Sequence, residues 1–276
     1  MEFRRYLSVE EFSSDVLGPL LKNEAENNLL ISMLTESKSK GSADWLMAAI
    51  VDDGSVALAA LCTKPFNLLL YEPENCREGA VELLAFGIRR IGFDLPGVLA
   101  ERGLANRFSE AYRADGSGRR HMTMIVMRLD KLADYKNAPG GFRVLDERDM
   151  FFVPFWEHAF GSDCRVYEFP LPEIVERVRT RLGKGTHFIW EDGPPVSQAV
   201  HGRNTPNGAI INMVYTPPHY RGRGYATSVV GELSRSLLAK GKAFCALYVD
   251  ADNPISRKVY QKLGYYDVCA FDEIRF

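Results

Sequence analysis

Two arginines and two glycines, set between an apolar run and an amphipathic one, are the strongest chemical signal in this chain. The stretch reads Val214-Tyr-Thr-Pro-Pro-His-Tyr-Arg-Gly-Arg-Gly-Tyr-Ala-Thr-Ser228. Ala209 to Tyr215 enters it as a buried strand. Ala226, Val229, Val230, Leu233, Leu237 and Leu238 leave it at helical spacing, and Gly241 stops that helix. A helix N-terminus offers unpaired N–H groups and partial positive charge. Gly222 and Gly224 let the backbone come close to a ligand, and Arg221 and Arg223 add full charges. The combination is an anion site suited to a phosphate or pyrophosphate. The competing reading is a Gly/Arg-rich turn without a ligand.

Two nucleotide patterns are absent. The Walker sequence G-x-x-x-x-G-K-[ST] occurs nowhere, and the dinucleotide fingerprint fails at its last position, where Thr227 stands. What fits is Arg221-x-x-Gly224-x-Ala226. A second group lies about 30 residues downstream: Asn253-x-x-Ser256-x-x-x-Tyr260, followed by Leu263-Gly264-Tyr265. Ser256 and Tyr260 share one helix face. By themselves these residues read as a cap, a surface hydroxyl and a packing aromatic.

Together the two groups resemble the acyl-CoA-binding segments of the GNAT superfamily of N-acetyltransferases, over about Gly141 to Phe276. The resemblance implies that Arg221, Gly222, Arg223, Gly224, Tyr225, Ala226 and Thr227 cradle the pyrophosphate of coenzyme A. It implies that the pantetheine arm lies along Asn212, Met213, Val214 and Tyr215, where a main-chain N–H holds the thioester oxygen. Asn253, Ser256 and Tyr260 complete the binding set, and Tyr260 takes the position of the general acid for the departing thiolate. The implied activity is transfer of an acyl group, acetyl first, from acyl-CoA to a primary amine by direct attack in a ternary complex. The general base stays unassigned among Glu191, His201, His219 and Asp250. The alternatives are a non-catalytic acyl-CoA-binding or regulatory module, and an O-acyl or aminoacyl transferase on the same scaffold.

The elements that must position these residues can be read in order. Phe3 to Val9 is a strand, Ser8-x-x-Glu11 opens a helix, and Gly18-Pro19 interrupts it. A second helix runs from Leu20 through Leu34, with a polar loop from Glu36 to Gly41. Trp45 to Val51 and Val56 to Leu61 are strands about an Asp52-Asp-Gly-Ser55 hairpin turn. Asn67 to Tyr71 is a third strand. Glu74 to Ile91 is a helix, Gly97 to Ala100 a strand, Glu101 to Tyr112 a helix and His121 to Leu129 a strand. Asp134-Tyr-Lys-Asn-Ala-Pro-Gly-Gly141 is turn-rich and reads as a linker.

Beyond it come a strand at Phe142 to Leu145, a helix from Asp146 to about Phe160 and an amphipathic helix from Pro172 to Leu182. A hairpin, Thr186 to Trp190 with Val196 to Val200, precedes the central strand and anion loop. Phe244 to Val249 is a strand. Asn253-Pro254 starts a helix that ends before Gly264, and Tyr265 to Phe276 is a strand. The two halves spell one element order twice. The expected fold class is α/β, as two GNAT-like domains, each a mixed, mostly antiparallel sheet flanked by helices. The expected division is 1–135, a degenerate copy, and 140–276, the acetyltransferase domain. The first copy carries Glu72-Pro-Glu-Asn-Cys-Arg-Glu78 where the second carries Arg-Gly-Arg-Gly. Its carboxylates repel a pyrophosphate, so the first half is expected not to hold coenzyme A.

Composition narrows the classes. Of 276 residues, 46% are hydrophobic and 25% charged, enough apolar matter for a sizeable core. Lys+Arg 34 against Asp+Glu 36 leaves a net charge of −2, so no nucleic-acid footprint is expected. No apolar run has the length of a membrane span, and Met1 to Tyr6 has no signal-peptide character. The five cysteines, Cys62, Cys76, Cys164, Cys245 and Cys269, lack C-x-x-C spacing and read as reduced thiols of a cytoplasmic protein. Cys164 has no base partner in the sequence. His121, His158 and His187 show no ligand spacing, so no metal is expected. The partner is a small-molecule or peptide amine, with no nucleic acid and no membrane; its identity and the oligomeric state are left open.

Overall fold

The computed structural model describes residues 1–36, 45–73, 77–113, 115–166 and 169–276. Contacts divide the chain into two compact units. The first is Met1–Val126 with Val249–Asp252 and Val268–Phe276; the second is Met127–Tyr248 with Asn253–Asp267.

The first unit runs β1 (Glu2–Tyr6), α1 (Val9–Leu21), α2 (Asn28–Glu36), β2 (Trp45–Asp52), β3 (Ser55–Thr63), β4 (Leu68–Tyr71), α3 (Ala80–Arg90), β5 (Gly97–Glu101), α4 (Arg102–Tyr112) and β6 (Arg119–Leu129). The second runs β7 (Gly141–Val144), α5 (Val153–Cys164), α6 (Leu171–Arg179), β8 (His187–Glu191), β9 (Pro195–Asn204), β10 (Gly208–Tyr215), α7 (Tyr225–Ala239), β11 (Phe244–Asp250) and α8 (Pro254–Lys262), and β12 (Tyr266–Arg275) ends the chain. No helix among the described residues is long and apolar enough to cross a membrane.

In the first unit the strand order is β1-β2-β3-β4-β5-β12-β6. Its pairs are antiparallel from β1 to β4, and β4 and β5 are parallel. The core follows from the two-residue period of the strands. Leu46, Ala48 and Ile50 of β2 pack with Leu84, Ile88, Leu104 and Phe108 from α3 and α4. Met47, Ala49 and Val51 pack on the opposite face with Phe12, Val16, Leu20, Ile31 and Leu34 from α1 and α2. Burying each such large side chain contributes about 1.5–3 kcal/mol. That explains Pro19, which does not interrupt α1 as expected. It lies in the last turn of α1, where Val16 and Leu20 are fully buried, so packing outweighs the lost N–H. The second helix begins at Asn28, later than expected. The loop expected from Glu36 to Gly41 falls largely outside the described residues, as does the start of the helix expected from Glu74.

The strand expected from Tyr265 to Phe276 forms, but it completes the first unit's sheet. Phe271 to Arg275 pair antiparallel with Glu101 to Gly97 of β5. Asp272, fully buried, accepts from Thr123 Oγ1 at 2.6 Å and lies 3.5 Å from Arg102 Nε.

In the second unit β7, β8, β9 and β10 are antiparallel neighbours and β10 runs parallel to β11. The helix expected from Asp146 is broken. A 3-10 turn at Glu147–Phe151 precedes α5, which restarts with Pro154 in its first turn. The expected linker is an ordered strap along α7. Tyr135 Oη donates to Glu232 Oε1 at 3.0 Å, Asn137 Nδ2 to the same oxygen at 2.7 Å, and Ala138 N to Ser228 Oγ at 2.8 Å. Gly231 makes room for it, since a Cβ there would stand 2.4 Å from the Tyr135 ring. By contacts the chain therefore divides after Val126, and the tail leaves the 140–276 span that the sequence reading assigned to one domain.

Candidate active site

The central strand of the second unit is bent where chemistry is expected. β10 pairs with β11 only from Gly208 to Ile210, opposite Phe244 to Ala246. Beyond Ile210 the two strands part. On the other edge, the register with β9 slips between Asn212, opposite Val200, and Tyr215, opposite Gln198. Met213 lies in that slip with φ +52, a left-handed conformation costing on the order of 1–3 kcal/mol for a residue with a side chain. Buried groups of β9 hold it. Gln198 Nε2 donates to Met213 O at 3.3 Å, and Ser197 Oγ donates to Tyr215 O at 3.1 Å while meeting Thr216 Oγ1 at 2.8 Å. Met213, Val214 and Tyr215 thus form a bulge beside an open stretch of strand edge.

The loop after β10 ends in a bare helix start. Gly224 caps α7 at φ +87 without a side-chain acceptor, and Gly222 sits at φ +79. A Cβ on Gly222 would meet no protein atom within 4 Å, and one on Gly224 would only touch Ala138 at 3.7 Å. Backbone conformation, not crowding, requires glycine there. The first helical bond is Ser228 N to Gly224 O, 3.0 Å. The N–H groups of Tyr225, Ala226 and Thr227 therefore lack helical acceptors and carry the positive end of the helix dipole. Tyr225 is buried and anchored, its hydroxyl donating to Asp192 Oδ2 at 2.5 Å.

The arginines are placed differently from one another. Arg221 donates through Nε to Thr216 O (2.9 Å) and through Nη2 to Asp163 Oδ2 (2.6 Å), with its guanidinium 5.7 Å from the Tyr215 ring. Arg223 lies 6.0 Å from the Tyr220 ring and is exposed. On α8, Asn253 Oδ1 accepts from Ser256 N at 3.0 Å, the cap expected of it. Tyr260 is buried, 6.0 Å from the Tyr265 ring. Burial raises the Tyr260 phenol above its ordinary value, and the Cys164 thiol adds to the rise. That phenol keeps its proton through the neutral range.

The four candidate bases sit in other company. Glu191 is ion-paired with Arg143, with Arg148 at 3.7 Å. His201 meets Asn204 Oδ1 at 3.0 Å, and burial lowers its basicity. The His219 ring lies 4.0 Å from that of Tyr220, tilted by 51°, and Asp250 Oδ1 accepts from Asp252 N. Two further polar groups lie behind the bulge: His187, beside Arg181, and Gln198, which donates to Met213 O. Each interrupts an apolar strand run, and that interruption is the signal that could have found them. The first unit holds a cavity of about 450 Å³ at the ends of β4 and β5, lined by Glu26, Glu72, Glu101 and Arg107 among others. Its carboxylates disfavour a pyrophosphate.

A family model described as FR47-like protein matches residues 192–273, the stretch that holds the bulge, the loop and α8. A search of curated protein sequences finds no match. A GCN5-related N-acetyltransferase from Sphaerobacter thermophilus superposes with TM-score 0.69 at 15% identity, covering 99% of this chain and 95% of its own. A GNAT-family acetyltransferase from Colwellia psychrerythraea gives 0.62 at 13% identity, covering both chains in full. A tandem GNAT protein from the clavulanic acid biosynthesis pathway gives 0.57 at 14%, covering 99% and 97%. The chain has the GNAT acetyltransferase fold along its whole length. The FR47-like match includes both stretches that carry the resemblance, Arg221 to Ala226 and Asn253 to Tyr260.

Proposed function

We propose that this chain is an acyl-CoA-dependent N-acyltransferase, with acetyl-CoA as donor and a primary amine, small molecule or peptide, as acceptor. The observation that carries the reading is the bulge at Met213, on a strand that leaves its parallel neighbour, directly before a helix start with two positive-φ glycines. These features fit an extended thioester with a pyrophosphate at one end. The N–H groups from Gly222 to Thr227 receive the pyrophosphate, with the exposed Arg223 adding a charge beside them. The open edge at Met213, Val214 and Tyr215 pairs with the pantetheine arm, and Asn253 and Ser256 line the α8 side. Bound acyl-CoA supplies an activated carbonyl with a thiolate leaving group. Tyr260 holds a proton at its phenol oxygen for that thiolate, whose ordinary pKa of roughly 8.5 lies below the phenol's.

The first unit carries no coenzyme A in this reading. The amine loses its proton to water or to a group still to be identified, since Glu191 and His201 are already engaged. The test is release of free thiol from acetyl-CoA across a panel of primary amines, beside calorimetry with acetyl-CoA alone. Thiol release with at least one amine, and one binding site per chain, is the expected result. Binding without release from any amine would favour a regulatory acyl-CoA-binding module.

A further inference from the structure

Behind the bulge lies a buried chain of polar side chains. Glu157 of α5 grips Arg181 with both carboxylate oxygens, the outer contact being Nη2 to Oε2 at 2.9 Å. Arg181 Nη1 stands 3.4 Å from His187 Nδ1. A guanidinium only donates, so Nδ1 accepts and the ring hydrogen is on Nε2. His187 is fully buried, and burial first, then the Arg181 charge, pushes its pKa down to about 3. The ring is neutral at any working pH, and its tautomer is fixed by the arginine.

His187 Nε2 has no full hydrogen bond among the described residues, and neither has Gln198 Oε1 on the adjacent strand. Both atoms are inaccessible to solvent. Gln198 stands opposite Ile189, two residues along β8 from His187, so the two side chains share one face of the sheet. Its other amide atom, Nε2, donates to Met213 O. With the ring hydrogen on Nε2, the two unpartnered groups are complementary, a donor on His187 and an acceptor on Gln198, between the contact from Arg181 and the hydrogen bond to the carbonyl of the bulge. A trans peptide is planar, with its C=O and the next N–H pointing in opposite directions. Holding Met213 O toward Gln198 turns the Val214 N–H away from it.

We infer that Gln198 is a positioning residue for acyl transfer: it turns the Met213–Val214 peptide so that the Val214 N–H receives the acyl oxygen, and Glu157, Arg181 and His187 lock its amide in that sense. This rests on the proposed function. Asn212 of β10 also has its Oδ1 buried without a partner among the described residues, and its amide packs against Gly202.

The experiment compares the affinity for acetyl-CoA with that for free coenzyme A, which lacks the acyl oxygen. Q198M keeps side-chain volume and removes the amide. It should leave the affinity for free coenzyme A within about twofold and weaken acetyl-CoA by about threefold to tenfold, one hydrogen bond's worth. H187L should follow Q198M. H187Q should recover the wild-type ratio, because a glutamine amide both accepts from Arg181 and donates to Gln198. A role in packing alone would shift both ligands together and follow the melting temperature. An unchanged ratio in Q198M, or H187Q no better than H187L, overturns the assignment while leaving the cofactor site standing. Wild-type protein that binds neither ligand overturns the proposed function itself, and this inference with it.

Discussion

The same backbone device opens a helix in each unit, and only one of the two is dressed for an anion. Gly79 starts α3 at φ 86, ψ −4, and Gly224 starts α7 at φ 87, ψ 0, neither with a side-chain cap. In the first unit the approach is closed. Arg77 Nε binds Asp52 at 2.7 Å, and Arg77 O accepts from Ala80 N, using one of the free N–H groups. The strand before it, β4, keeps regular register with β3, while β10 is bulged. The second pair of helices repeats the contrast. Tyr260 lies seven residues beyond its cap Asn253, and Phe108 lies seven beyond its cap Glu101. Ser256 has Leu104 as its counterpart. The two units share the helix starts, while the strand bulge and the site's hydroxyls stand in the second, so fold alone does not identify the site.

Making the second unit resemble the first is the sharpest test. Tyr260→Phe installs the residue that the first unit already carries. Turnover should fall by about 10²–10⁴-fold if the phenol is the general acid, with acetyl-CoA affinity nearly unchanged. A steady-state pH–rate profile beside calorimetry reads both, and wild-type turnover throughout would reduce Tyr260 to a packing residue.

Gly224→Val and Gly79→Val form the next pair. Each strains a positive-φ position by about 1–3 kcal/mol of folding stability. Only Gly224→Val should abolish acetyl-CoA binding, by on the order of 100-fold, equal to one or two charge-assisted hydrogen bonds. Equal losses in both variants would place a second cofactor site in the first unit.

The units should also differ in acid. His187 refuses a proton until about pH 3 when folded, whereas unfolded histidine takes one near 6.5. Its contribution to stability is complete above 6.5 and declines by about 1.4 kcal/mol per pH unit as pH falls toward 3. Subtracting the stability curve of His187→Gln from wild type should isolate that slope. The smallest expected effect is Arg221→Ala. The guanidinium is half exposed and already paired with Asp163, so affinity for acetyl-CoA should fall by less than about 1 kcal/mol and the loss should shrink in salt.

The anion loop, the α8 cap and the repeated element order were legible because each is a local signal: glycines at a strand-to-helix turn, Asn before Pro, alternation within a strand. Three features were not. Pro and Gly make residues 134–141 read as a linker, and only Gly231, a glycine inside a helix, hints that something docks there. Apolar alternation marks the last strand as a strand but does not say which sheet it joins. The His187–Gln198 chain needed the tertiary register, since its members lie on different strands.

The returning tail bears on how the protein is made. Ile274 pairs with Val98, and almost the whole second unit is synthesised between them. Until the tail arrives, β5 presents an unpaired edge, the kind of edge that recruits other chains. The first unit cannot finish folding as it leaves the ribosome, although domains commonly fold in order from the N-terminus. Closing that long loop comes late and is slow. Until β12 emerges, the nascent chain stays exposed to aggregation and to chaperones, and a truncation that removes β12 should harm the first unit more than the second.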